Sequence, residues 1–193
     1  MSISKSRENL RALVESALLV AIGFVLSYIT LFKLPQGGSV TPLSMLPLLM
    51  IGLRHGLKWG LGGGLIYAFL QMLQQFWPPP SGTAAAYIAV VVLDFILAFS
   101  LLGLSGIFKG RRYGMIYAVP LCLGLRFLCH FVSGIVIWDT YAPDGAPVWI
   151  YSLTYNGSYM GLEIIFTTIA GVVLCKTAPI LFKLKANQLT TDH

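Results

Sequence analysis

Four residues stand four apart in an otherwise apolar run, RFLCHFVSGIVIW: Arg126, His130, Gly134 and Trp138. That spacing lays them along one stripe of a helix. The segment that follows, DTYAPDGAPVWIYSLTYN, reads as a loop of Asp, Pro, Gly and aromatics leading to Tyr151, Tyr155 and Asn156. Polar and aromatic groups gathered on one face of an apolar helix point to a ligand pocket; the competing reading is a polar contact that only joins packed helices. Few other ionisable groups interrupt the apolar segments: Glu15, Asp94 and Glu163. A charge in hydrocarbon costs several kcal/mol, so each faces the bundle interior or water. Asp94 stands about ten residues from the outer end of its segment, and His130 and Glu163 about eight, which at about 1.5 Å per residue gives a similar depth. Arg126 is one turn deeper. For Arg126 and Glu163 a carboxylate–arginine pair locking two helices fits equally well; Asp94 and His130 favour the pocket, because Trp138 and the aromatic segment lie above them. Such a pocket suits a flat, cationic heteroaromatic ligand. Aromatic faces stack on its ring and attract its charge, a carboxylate supplies the counter-charge, and Asn and Tyr read its edges.

The elements that must position these groups are membrane helices. The chain has 193 residues, of which 56% are hydrophobic and only 10% charged, with a mean hydropathy of +0.79. A soluble domain is nearer 25% charged. Spans of roughly 20 apolar residues are expected at Leu10–Phe32, Leu57–Phe76, Ala84–Phe108, Tyr113–Trp138 and Tyr155–Leu181. A shorter run, Leu43–Leu53, needs loop residues to complete a crossing. With six spans, Lys5, Arg7, Arg11, Arg54, Lys58, Lys109, Arg111, Arg112, Lys176, Lys183 and Lys185 share one side, and only Lys33 with Asp139 and Asp144 face the other. Cytoplasmic loops carry the Lys/Arg excess. The expected fold is therefore an all-α integral membrane protein of the cell membrane. It has six transmembrane helices with both termini inside, one domain over 1–183, and a short cytoplasmic tail at 184–193. The net charge of +6 thus reflects topology and not nucleic-acid binding. Cys122, Cys129 and Cys175 have neither metal-ligand nor disulfide spacing, and the first apolar run reads as a retained span, not a cleaved signal.

At the pocket residues the sequence resembles a family. HFVSG, WDTYAPDG and YSLTYNGSY, with LDFILAF at 93–99 and LPQGGSV at 34–40, are similar to the thiamine-specific substrate-binding (S) components of energy-coupling factor (ECF) transporters, and the likeness extends over nearly the whole chain. The resemblance implies a non-enzymatic protein without cofactor that captures thiamine from outside and works with a transmembrane coupling protein and two cytoplasmic ATPases. Carried over by position, His130, Gly134, Trp138, Tyr151 and Asn156 line the site, Asp94 takes an acidic position that is Glu in some members, and Phe95 an aromatic position that can be Tyr. The loop after the first span has no Trp, where an aromatic could help close the site; Phe32 is the nearest substitute. Gly37 and Gly38 make LPQGGSV a candidate hinged lid.

Small residues four apart let helices approach closely. Ala17 and Ala21 have that spacing on the first span, and the resemblance implies that they meet the coupling protein; Gly56, Gly60 and Gly64 are a second stripe, suited to docking or to packing inside the bundle. There is no Walker A sequence to power transport, no HExxH and no GxSxG. Two alternatives to a thiamine S component stand: an S component for another vitamin, or a small membrane enzyme using His130 with Asp94 or Glu163.

Overall fold

The computed structural model describes residues 2–111, 113–178 and 181. The expected tail at 184–193 and the basic residues Arg112, Lys183 and Lys185 lie outside the described residues. Six helices follow one another: α1 (Ser2–Leu26), α2 (Leu46–His55), α3 (Leu57–Gln74), α4 (Ala84–Phe108), α5 (Gly114–Val136) and α6 (Val148–Thr177). Among the described residues α1, α4, α5 and α6 are long and apolar enough to cross a membrane.

The short apolar run became α2, only ten residues or about 15 Å of helix, half a bilayer core. All of Leu46–Leu53 is buried: a helix apolar on every side belongs in the middle of a bundle. Glycine lets it and its neighbours approach. A Cβ on Gly60 would stand 2.6 Å from the Gly103 carbonyl oxygen, and one on Gly64 would collide with that of Phe99. The Gly60–Gly64 stripe therefore packs α3 on α4 and offers no docking face. Gly56 has φ +94°, a backbone that side chains resist, and turns α2 directly into α3.

α1 ends at Leu26, earlier than the expected Phe32. The next residues form an antiparallel hairpin, β1 (Phe32–Lys33) with β2 (Ser39–Val40), pairing Phe32 with Val40 and Lys33 with Ser39. α6 starts seven residues before the expected Tyr155: Pro147 takes the N-cap after a turn at Gly145, φ +78°. Proline suits the start of a helix, so the aromatic stretch read as loop is helical from Val148, and Tyr151 and Asn156 share one helix. α4 opens on Thr83, whose Oγ1 accepts the Ala86 N–H at 3.3 Å. It widens into a π-helical turn over Val91–Leu97, with Asp94 at its centre.

α1 buries Ala12, Ser16 and Val20, and Ser27 just past its end is buried too. Its opposite face exposes Leu10, Leu13, Val14, Leu18, Ile22 and Val25, and Ala17 and Ala21 are exposed on it too. Such an apolar outer surface fits lipid.

Candidate functional site

The π-helical turn carries the central group. π-turns are rare, and they re-aim side chains at functional sites. Asp94 reaches α5, where its Oδ1 lies 2.9 Å from His130 Nδ1. Its Oδ2 accepts the Ser133 hydroxyl at 2.7 Å and the Trp138 indole N–H at 3.2 Å. Trp138 does not complete the helical stripe; it follows the end of α5 in a turn, and its ring folds back to reach Asp94. Asp94 acts as acceptor, so Nδ1 of His130 carries the proton in the neutral ring. Nε2 is buried and has no hydrogen-bond partner among the described residues.

The second wall is the α5–α6 contact. A Cβ on Gly134 would collide with Ser152 Oγ and stand 3.1 Å from Asn156 Nδ2; glycine there lets α6 bring both polar side chains against α5. Ser152 donates to the Phe131 carbonyl at 2.8 Å. Asn156 donates to the carbonyls of His130 at 3.2 Å and Ser152 at 3.0 Å, and accepts the Tyr159 hydroxyl at 2.9 Å. Asn156 thus lines the site with its amide already engaged, aligning the two helices as much as facing a ligand.

Aromatic rings complete the walls. Phe95 stacks on Phe76 with centroids 5.9 Å apart, Trp138 on Tyr141 at 6.2 Å, and Tyr151 lies 5.8 Å from Tyr155. The hairpin closes over one side. Tyr155 accepts the Gly38 N–H at 3.0 Å and donates to the Pro35 carbonyl, while Gln75 donates to the Gly37 carbonyl at 2.7 Å. Gly37 has φ +94°, and a Cβ there would meet the Trp77 ring at 2.6 Å. Gly38 is ordinary in backbone, with φ −59°, and is needed instead for its closeness to Tyr155. Phe32 is exposed on β1; the aromatics against the hairpin's turn include Trp77 at Gly37 and Tyr155 at Gly38.

Together these groups enclose a cavity of about 150 Å³. All seven expected residues, Asp94, Phe95, His130, Gly134, Trp138, Tyr151 and Asn156, line it. Thr41 and Met45, just before α2, also line it, so the shortness of α2 leaves room for the cavity. Sequence reasoning passed over Trp77 and the part Ser133 plays. Ser133 stands three residues after His130 and so shares its helix face, which could have revealed it; Trp77 gave only the weaker signal of an aromatic at the outer end of α3. The Arg126–Glu163 lock, one of two readings open to these residues, is not formed: the ion pairs among the described residues are those of Glu15 and the Asp94–His130 pair. Glu163 instead accepts the Thr41 N–H at 2.5 Å and hydroxyl at 2.9 Å. Ser133 donates to Asp94, so its hydroxyl orders the carboxylate.

Helices that cross the membrane around an aromatic cavity with a carboxylate in its wall define a multi-pass membrane protein with a small-molecule site. The chain belongs to the thiamine transporter protein family (Thia_YuaJ), whose model matches residues 13–183. It is 34% identical to the thiamine transporter ThiT of Bacillus subtilis, over 94% of this chain and 98% of that protein. It is 25% identical to ThiT of Lacticaseibacillus paracasei, over 94% of each. The solved structure of ThiT from Listeria monocytogenes superposes with a TM-score of 0.72 at 27% identity, covering 91% of this chain and 98% of that one.

Proposed function

We propose that this chain is a substrate-binding component that captures thiamine from the outer face of the cell membrane in the cavity around Asp94. The observation that carries the reading is the state of that carboxylate. Its partners are an imidazole, a hydroxyl and an indole, and no guanidinium or ammonium pairs with it among the described residues. A cationic heteroaromatic ring between Phe95, Trp138 and Tyr151 would receive both stacking and a counter-charge. The family and its thiamine-transporter relatives support thiamine as that ring.

The orientation follows the positive-inside rule. Arg54 and His55 at the end of α2 meet Glu15, and Lys109 reaches the His55 carbonyl at 3.3 Å. This basic cluster is the cytoplasmic end, and the cavity, near the other ends of α1, α3 and α4, opens outside. With no ATP-binding motif of its own, the chain delivers thiamine through an ECF coupling protein and two ATPases, and the exposed Ala17 and Ala21 form the surface that meets the coupling protein.

Isothermal titration of the purified protein tests the reading. Tight thiamine binding, with the vitamin recovered unchanged, is expected. No binding, or preference for another vitamin, contradicts the thiamine assignment, and a chemically altered ligand contradicts a purely binding role. For the docking face, Ala17→Trp should leave titration unchanged while abolishing co-purification with the coupling protein; an intact complex places the contact elsewhere.

A further inference from the structure

Arg126 enters the cavity one turn below His130 on the same helix, and the cavity wall includes it. Only 9% of it is exposed. Its guanidinium lies over the Phe99 ring, 4.6 Å from the centroid. Its Nε is buried without a hydrogen-bond partner among the described residues, and it takes no part in the ion pairs formed there. Glu163 makes no ion pair with it among the described residues: its Oε1 is held by Thr41, and its Oε2 is buried without a hydrogen-bond partner there.

A guanidinium has five N–H donors in a fixed planar fork. The face of Phe99 attracts its positive charge but does not accept those in-plane donors. The Nε donor is therefore left unmade at the cavity floor, and a buried donor left unmade is costly. The wall above has the opposite character: Asp94 offers an acceptor and a negative charge. An anionic ligand group fits this cavity poorly, because Asp94 shares the space and Glu163 lies behind the floor. A neutral acceptor atom fits.

We infer that Arg126 is a ligand-binding residue, donating to an unprotonated ring nitrogen at the buried end of the heteroaromatic ligand. This rests on the thiamine reading above. An aminopyrimidine carries amine donors on one edge and bare ring nitrogens beside it. A cavity with an acceptor on its wall and a donor fork on its floor therefore admits the ring in one orientation and rejects rings lacking the nitrogen. Rejection of that kind is steep, because the loser leaves a buried donor unpaired.

The test is a cycle of protein and ligand changes, read by titration. Arg126→Met keeps much of the side chain's length and removes every donor. The ligands are thiamine and its two pyridine analogues, each with one pyrimidine nitrogen replaced by C–H. Arg126→Met should weaken thiamine by about tenfold to hundredfold, the range of a hydrogen bond to a charged group. One pyridine analogue should bind wild type and Arg126→Met alike. Equal losses for all three ligands, or unchanged thiamine affinity, overturn the assignment. Should Arg126→Met fail to fold, Arg126→Lys carries the same cycle: it keeps the charge and loses the fork, and equal losses across the ligands again overturn the assignment. Wild-type protein that does not bind thiamine overturns the proposed function and this inference together, whereas binding without coupling overturns the inference alone.

Discussion

Of the three carboxylates within the apolar helices, Glu15 and Asp94 each stand beside a histidine, and these two are built for opposite ends. Glu15 on α1 is met by Arg11 at 2.6 Å, Arg54 at 2.7 Å and His55 at 2.9 Å. Two guanidiniums more than cancel its charge, so it joins α1 to the basic end of α2. Asp94 on α4 is met by His130, Ser133 and Trp138, whose donors fix its direction, and by no guanidinium among the described residues. The lesson is that an ionisable residue inside a membrane helix is suited to meet a ligand when no arginine pairs with it and space lies beside it. When its partners are cations, it is a clasp. Identical residue chemistry at the sequence level, an acid with a histidine, thus separates only through its neighbours.

The comparison can be broken at several points. The largest effect is expected at Trp138→Ala, which removes a donor to Asp94 and the ring stacked on Tyr141. Thiamine affinity measured by titration should fall at least thirtyfold, roughly the 2 kcal/mol that truncating a buried aromatic anchor costs. Gly134→Ala comes next. The new methyl group has no room against Ser152, and overpacking costs typically about 1–3 kcal/mol, so both thermal stability and affinity should drop. A variant as stable as the parent would show that α5 and α6 are not held this closely. Tyr155→Phe should be milder. It frees the hairpin from one anchor worth about 1 kcal/mol, and stopped-flow measurement should find thiamine leaving about fivefold faster, with the on-rate little changed. The smallest effect on binding belongs to the other carboxylate. Glu15→Gln should lower the melting temperature slightly, as partly exposed ion pairs contribute up to about 1 kcal/mol, and should leave thiamine affinity within about twofold.

Much of the site was legible because helical periodicity is a strong signal. Arg126, His130 and Gly134 fall on one stripe of α5, and the rise per residue places Asp94 opposite His130. Local sequence could not reveal features decided by packing. The π-helical turn that aims Asp94 leaves no mark in VVLDFIL. The shortness of α2 was visible, but not that the cavity fills the space above it. LPQGGSV showed its glycines without showing that Gly37 yields to Trp77 and Gly38 to Tyr155. The start of α6 was missed because proline and glycine were read as loop up to Tyr155, when Pro147 is the cap from which the helix runs. The Gly60–Gly64 stripe had two uses open to it, and only its neighbours Phe99 and Gly103 decided between them.

The central claim is that Asp94 keeps its charge for a cationic ligand. The direct test is Asp94→Asn, titrated with thiamine and with a neutral isostere in which an uncharged ring replaces the cationic one. Asparagine preserves the shape and some of the hydrogen bonding while removing the charge. Thiamine should lose about tenfold to hundredfold in affinity, as expected for a charge-assisted contact, and the neutral isostere only a few-fold. Equal losses for the two ligands would contradict the account and leave Asp94 as another helix clasp, like Glu15.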